Sequence, residues 1–321
     1  MNSFNLPQRS RIVISEWMDT DAIEKLSADH DVQYDTNLVD NPTLLRSSLE
    51  TAQALIVRNR TQVSASLLDA AKGLRVVGRL GVGLENIDLD SCQERGIDVC
   101  PAVGANARSV AEYVLCSAML LLRGIYLRSD EVAQGTWPRP ALAGGRESQD
   151  KTLGVIGYGS VGRVTADLAL AAGFRILYWD PTGPSNRSID DANASSRIRA
   201  ASSIDALLAA SDVVSLHVPM TASTRHLIGR DELARMKQGA VLINTARGGV
   251  IDESAVAASL RAGHLGGAAI DVFKDEPLPS GNVWQDCPNV LLTPHVAGLS
   301  IESNQRVAHS VADAVMKKLA T

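Results

Sequence analysis

Short runs of β-branched and aliphatic residues, each followed by a longer stretch with helical spacing, recur from one end of the chain to the other. RIVIS (Arg11 to Ser15), ALIV (Ala54 to Val57) and RVVGR (Arg75 to Arg79) are almost continuously apolar, the pattern of strands buried on both faces. Helix starts are predicted at Thr20-Asp21, Asn41-Pro42 and Ser64. A long helix is predicted from Ala107 to Gln134, apolar at Val110, Val114, Leu115, Met119 and Leu122. GTWPRP (Gly135 to Pro140) stops it, since proline cannot donate to a helix ladder. The strand rhythm resumes with TLGVI (Thr152 to Ile156), RILYW (Arg175 to Trp179), VVSLH (Val213 to His217), AVLIN (Ala240 to Asn244), GAAID (Gly267 to Asp271) and NVLL (Asn289 to Leu292). The polar stretch Pro181 to Ser196 is expected to be an irregular loop, and a last amphipathic helix spans Ser303 to Leu319. Strands alternating with helices imply parallel sheets with right-handed crossovers. Two α/β units follow, linked by the helix that starts at Ala107.

Composition narrows the partners. The 321 residues suit two domains, and 31 Lys and Arg against 36 Asp and Glu leave a net charge of -5. Nothing is in surplus to neutralise a phosphate backbone, which argues against nucleic acid. The longest apolar run, Val114 to Leu122, is too short to cross a bilayer as a helix. The start, MNSFNLPQRSR, lacks an apolar signal core, so export is not expected. Cys92, Cys100, Cys116 and Cys287 are scattered, which fits a reducing cytoplasm better than a disulfide framework or zinc site. No His, Cys and Asp grouping has metal-ligand spacing, and no metal is expected.

GYGSVG (Gly157 to Gly162) matches G-x-G-x-x-G, directly after one predicted strand and before a helical run. In that setting Gly157 permits a tight turn, Gly159 lets backbone approach a pyrophosphate, and Gly162 lets helix and strand pack closely. The phosphates would rest on N–H groups at the positive end of the helix. Asp180 ends the next strand, where a carboxylate accepts from ribose hydroxyls and repels a 2′-phosphate. The expected cofactor is therefore NAD rather than NADP. A glycine-rich turn without a ligand is the plain alternative.

Three more strand ends carry polar residues that a core does not need. NTARGGVID places Arg247 past one strand, DVFKDEP places Asp271 and Glu276 past the next, and TPHVAG places His295 past the last. In an open parallel sheet these carboxyl ends share the ligand rim with the glycine loop. Oxidation of an alcohol beside a carboxylate needs such a set. A histidine takes the hydroxyl proton, an acid fixes its tautomer, and a guanidinium holds the substrate carboxylate. Singly, each has an ordinary explanation as a surface or structural residue; grouped at one sheet edge they point to catalysis. His217, ending a strand in HVP, is expected to line the cofactor crevice through its backbone.

Together with RLGVGLENIDL (Arg79 to Leu89) and NARSVAEYVL (Asn106 to Leu115), these segments resemble the D-isomer-specific 2-hydroxyacid dehydrogenase family over nearly the whole chain. Within it, the likeness is to phosphoglycerate-dehydrogenase-like members without an extra C-terminal regulatory domain. The resemblance implies a doubly wound Rossmann NAD domain over residues 104–296. It also implies a smaller flavodoxin-like α/β substrate domain, residues 1–103 with 297–321, and catalysis in the cleft between the two. It implies Arg247, Glu276 and His295 as the catalytic trio. Ser160, Val161, Pro219, Thr245, Ala246 and Gly298 would lie along the cofactor, with Asp271 near the nicotinamide amide. The backbone of Val82 and Gly83 would meet the substrate carboxylate. A homodimer built around the Ala107 helix is implied too, with an arm containing Trp137 reaching the partner.

The side chain beyond C2 is less constrained. Arg58 and Arg60 follow a buried strand, and Arg139 lies in the arm. Three guanidinium groups exceed what one carboxylate needs, which suggests a second anion at C3, a phosphate or a sulfonate. 3-Phosphoglycerate and 3-sulfolactate both fit; the D arrangement is named S in sulfolactate because the sulfur-bearing carbon outranks the carboxylate. Alternatively Arg58 alone assists carboxylate binding, and the chain reduces glyoxylate or hydroxypyruvate. A non-catalytic NAD-sensing regulator related to the family is a further alternative.

Overall fold

The computed structural model describes residues 9–180 and 197–321, and the expected loop Pro181–Ser196 lies outside them. The chain forms two units. One runs to Asn106 and takes up Leu299–Thr321 as well; the other is Ala107–Gly298.

The first unit is a five-stranded sheet built from β1 (Arg11–Ile14), β2 (Asp31–Tyr34), β3 (Ala54–Val57), β4 (Val76–Arg79) and β5 (Asp98–Pro101). All pairings are parallel and the order is β2-β1-β3-β4-β5, the flavodoxin-like winding. One face packs Ile12, Ile14, Ile56 and Val76 against Val307, Val311 and Val315 of the last helix (Ile301–Leu319). That helix lies so close to β4 that a Cβ on Gly78 would sit 2.7 Å from Val311 Cγ1. The other face packs Val13, Leu55, Val57 and Val77 on Leu45, Leu49 and Leu67. Burial on both faces explains the unbroken apolar runs of β1, β3 and β4.

The second unit is a seven-stranded sheet of β6 (Thr152–Ile156), β7 (Arg175–Trp179), β8 (Ile198–Ala200), β9 (Val213–Leu216), β10 (Ala240–Asn244), β11 (Leu265–Ile270) and β12 (Val290–Leu292). It is parallel, in the order β12-β11-β10-β9-β6-β7-β8. The winding reverses between β6 and β9, and the crevice at their carboxyl ends is where doubly wound sheets bind ligands. Ile156, Leu216, Leu242 and Ile270 pack to one side, and Val155, Val241 and Ile243 to the other, on Val110, Val114 and Leu121.

Two expectations need correction. The helix beginning at Ala107 ends at Arg123, not Gln134, and only Ser129–Ala133 is helical beyond it. Gly124 takes a left-handed φ of +61°, and the returning chain crosses the helix end there. Arg146 N–H donates to the Leu122 carbonyl at 2.8 Å, and a Cβ on Gly145 would stand 2.8 Å from the Arg123 oxygen. Strands β2, β5 and β8 were not expected from the apolar pattern. Each lies at or next to solvent on a sheet edge, where the sequence (DVQY, DVCP, IRA) need not be apolar.

Candidate active site

The glycine loop follows β6 at the winding switch. Gly157 has φ +93°, and a Cβ there would stand 2.7 Å from the His217 carbonyl oxygen, so only glycine makes this turn. Gly162 leaves no room either, since a Cβ would come within 2.1 Å of the Gly157 oxygen. Gly159 is different: nothing lies within 4 Å of a Cβ built on it. Gly159 and Ser160 are exposed at the start of the helix Ser160–Ala171, with Val161 half-buried behind them. That open, amide-lined helix start suits a pyrophosphate. Asp180 closes the loop from the end of β7, its Oδ2 accepting from Tyr158 N–H at 2.8 Å.

His217 leaves β9 beside the loop, and its ring Nε2 lies 2.9 Å from Ser215 Oγ. Burial pushes its pKa down to about 4, so the ring is neutral at physiological pH. Pro219 is exposed next to it, its carbonyl accepting from the Thr224 hydroxyl at 2.6 Å.

The polar strand ends share one edge because Asn244 pairs with Ile270 and Ile270 with Leu292 in adjacent parallel strands. Past β10, the buried Asn244 side chain shapes the turn: its Oδ1 accepts from Ala246 N–H at 3.1 Å and its Nδ2 donates to the Arg247 carbonyl at 3.0 Å. Arg247 Nη1 donates to the Ala246 carbonyl at 2.7 Å. Gly248 seats this turn on the next one, for a Cβ would stand 1.9 Å from the Phe273 carbonyl carbon. Thr245 Oγ1 is buried with no hydrogen-bond partner among the described residues, an orphan a bound molecule can satisfy.

His295 and Glu276 meet directly, Nδ1 to Oε2 at 2.8 Å, with side chains 51% and 37% exposed. Phe273 N–H donates to the other Glu276 oxygen at 2.9 Å, which aims the carboxylate. A carboxylate only accepts, so the shared proton sits on Nδ1, which in the neutral ring leaves the lone pair on Nε2. The ring is thus built to take a proton at Nε2 while the acid steadies the resulting imidazolium.

Asp271 is 1% exposed. Its Oδ1 accepts from the Thr293 hydroxyl at 2.6 Å and from Val296 N–H at 2.8 Å, and its Oδ2 from Ala297 N–H at 2.9 Å. Its own carbonyl accepts from His295 N–H at 2.8 Å. The carboxylate therefore ties down the turn in which His295 takes a left-handed φ of +57°. Thr293 donates to Asp271, so its oxygen receives the Tyr113 O–H at 2.7 Å. Burial, partly offset by the Thr293 bond, raises the Tyr113 pKa and keeps that donor protonated. Tyr113, Thr293 and Asn244 had no motif signal of their own; each sat inside a motif read for another residue. Gly298 ends this segment, half-buried.

In the first unit, the loops after β1, β3 and β4 leave adjacent carboxyl ends. Val82 is exposed and Gly83 half-buried in the β4 loop. Arg58 Nη2 donates to Asn304 Oδ1 at 2.9 Å, and its guanidinium lies 5.5 Å from the Trp17 ring centroid. Arg60 is exposed and paired with Asp40 at 2.5 Å. Arg139 belongs to the second unit, exposed on a short turn (Arg139–Leu142). The buried Glu16 was missed by sequence reasoning: its carboxylate accepts from the N–H groups of Arg58, Asn59, Arg60 and Thr61 at 2.8, 3.3, 3.1 and 3.0 Å. Burial works to raise its pKa, but those donors prevail and hold it below the usual carboxylate range. Among the described residues no group of three or more His, Cys, Asp or Glu is placed to hold a metal, and no helix is long and apolar enough to cross a membrane.

The chain is similar to several known proteins. Residues 115–297 match the family model for the D-isomer specific 2-hydroxyacid dehydrogenase NAD binding domain. The chain is 48% identical over 310 residues to the (S)-sulfolactate dehydrogenase of Chromohalobacter salexigens, covering 97% of this chain and 98% of the relative. It is 34% identical to the hydroxypyruvate reductase of Thermotoga maritima, over 97% and 99% of the two chains. Among solved structures, the TT0316 protein of Thermus thermophilus superposes with a TM-score of 0.84 at 31% identity, over 97% of each chain.

Proposed function

This chain belongs to the D-isomer-specific 2-hydroxyacid dehydrogenase family, and from that premise we propose that its substrate carries a second anion at C3, as 3-sulfolactate does. The enzyme is an NAD-dependent oxidoreductase acting on the CH–OH group of 2-hydroxy acids. NAD, when bound, supplies the acceptor for the hydride that leaves C2.

The protein's own groups do the rest. The open amides at Gly159, Ser160 and Val161 would hold the pyrophosphate, and Asp180 would take the ribose hydroxyls. The backbone of His217, Pro219, Thr245, Ala246 and Gly298 would form the neighbouring cofactor wall, with the orphaned Thr245 hydroxyl among its donors. Asp271, besides tying down the His295 turn, would lie near the nicotinamide amide. Arg247 clamps the substrate carboxylate. His295 Nε2 takes the hydroxyl proton, and Glu276 stabilises the imidazolium through Nδ1. In reduction the same ring returns the proton to the carbonyl oxygen.

The observation carrying the C3 anion is the near-complete, 48% identical match to a relative named for (S)-sulfolactate. The S label is the one a D-specific enzyme requires, since sulfur outranks the carboxylate oxygens. Arg58, Arg60 and Arg139 are the guanidinium groups available to the sulfonate. Initial rates of NADH formation at 340 nm with (S)-sulfolactate, (R)-3-phosphoglycerate, D-glycerate and D-lactate test this. A kcat/KM for sulfolactate at least 100-fold above that for glycerate is expected; equal values sink the proposal. The Arg60–Asp40 ion pair favours a second reading, reduction of a smaller keto acid such as hydroxypyruvate with Arg58 alone assisting. Arg60→Ala with Arg139→Ala separates the two, abolishing turnover of a dianion while sparing that of hydroxypyruvate.

The working form is a homodimer. Met119, Ile125, Leu127, Val132 and Trp137, the last 79% exposed, crowd one stretch of chain around the helix Ala107–Arg123 and the segment after it. So much exposed apolar surface in one segment suits a partner subunit. Light scattering after gel filtration gives twice the chain mass if this holds. The four cysteines are free thiols, consistent with a cytoplasmic home.

A further inference from the structure

The first sheet has its own winding switch, between β1 and β3, and in a 2-1-3-4-5 sheet the crevice at that point is where a ligand sits. Here the protein fills it with a side chain. Glu16, at the end of β1 and 5% exposed, takes the four successive N–H groups of Arg58 to Thr61. The loop's backbone anion nest is therefore spent on an internal carboxylate, and any anion the loop recognises must be met by its side chains. Of the two arginines it carries, Arg60 is exposed and neutralised by Asp40. Arg58 is treated differently. Trp17, next to Glu16, offers its ring to one face of the guanidinium, and Asn304, from the last helix, accepts from Nη2 at 2.9 Å. Nε and Nη1 make no hydrogen bond to the described residues, which leaves one edge of the planar fork for a bidentate anion.

We propose that Asn304 is a positioning residue that sets the preference for doubly anionic substrates, by holding the Arg58 fork, flanked by Trp17 on the loop Glu16 ties down, in the orientation that receives the C3 anion. The inference rests on the proposal of a C3 anion and adds which residues create the selectivity. Asn304 accepts without bringing charge, so Arg58 is oriented without any compensation beyond that of the nearby Glu16 carboxylate, and its attraction for a sulfonate or phosphate is not weakened further. An aspartate at 304 would hold the fork equally well, or better, but would compete for its charge. That contrast separates positioning from mere structural support.

The test uses the full chain with saturating NAD+ and two probes, (S)-sulfolactate and D-glycerate. Asn304→Asp is expected to lower the ratio of their kcat/KM values at least tenfold, through KM for sulfolactate, with kcat within about threefold and the unfolding midpoint no lower than wild type. Asn304→Ala, which removes the acceptor without adding charge, is expected to lower the same ratio about threefold or more. If either folded variant loses activity equally on both acids, or keeps the wild-type ratio, Asn304 does not position Arg58 for an anion and the inference is overturned. A wild-type enzyme that shows no preference between the two acids instead refutes the C3 anion itself, an outcome visible before any variant is made.

Discussion

Replacing Asp271 by asparagine exchanges one oxygen of a buried carboxylate for an NH2 group. Both oxygens are engaged, Oδ1 by the Thr293 hydroxyl and Val296 N–H and Oδ2 by Ala297 N–H, and the side chain is 1% exposed. Asparagine can keep its oxygen toward Thr293 and Val296, but its NH2 then faces the Ala297 N–H, donor against donor. Leaving that buried N–H unsatisfied costs about 1–3 kcal/mol. The two surviving bonds lose their charge assistance, roughly another 1 kcal/mol each. The sum, about 3–5 kcal/mol, converts to a fall in Tm of about 6–20 °C for a unit of this size. Calorimetry of the purified variant measures it. Thr293→Val, which deletes the hydroxyl that donates to Asp271 and accepts from Tyr113 but leaves both backbone bonds, is expected to lose about 1.5–3 kcal/mol. A D271N enzyme that melts within about 2 °C of wild type would refute the assignment of Asp271 as the anchor of the His295 turn.

Glu276→Gln keeps the hydrogen bond to Nδ1 but removes the charge that steadies the imidazolium. A charge-assisted bond is worth about 1.5–3 kcal/mol, and the half-exposed setting places this one at the low end, a loss of about tenfold to thirtyfold in kcat by steady-state assay. Gly248→Ala drives a methyl into the Phe273 backbone, with a cost of about 1–3 kcal/mol or more in urea unfolding and a raised KM for substrate because Arg247 shifts. His217 has a folded pKa of about 4 against an ordinary 6.5, so the unfolded chain binds its proton first as the pH falls. Its contribution to stability is full above about pH 6.5 and is lost progressively toward pH 4; in His217→Asn the fall in unfolding free energy across that window should be shallower than in wild type.

Most of the strands that can be read from the sequence are those whose neighbours bury both faces, the edge strand β12 being an exception with its apolar VLL. β1, β3, β4, β6, β9 and β10 lie inside their sheets, and their apolar runs announce them. Edge strands β2, β5 and β8 touch the core on one side only, and their polar residues and proline obscure them. The meeting of Glu276 with His295 was legible because strand ends in a parallel sheet share a rim, so sequence order becomes spatial order. The supporting residues were not. Thr293 and Tyr113 matter through bonds to residues 22 and 180 positions away along the chain, a relation no local pattern encodes. Glu16 is the extreme case: as a lone acid after a strand it looks solvated, and only the fold reveals four backbone donors converging on it. The helix that was expected to reach Gln134 was misjudged because its stop comes from tertiary crossing at Gly145 as much as from Gly124 itself.

Kinetics of His295→Gln bear most directly on how this enzyme moves its proton. If Nε2 is the group that accepts it, kcat for oxidation of the best 2-hydroxy acid should drop by about 10²–10⁴-fold. NADH binding, followed by fluorescence titration, should stay within about threefold of wild type, because no part of the glycine loop is touched. A variant that binds NADH normally and turns over within tenfold of wild type would contradict the account, and the proton would have to leave by another route.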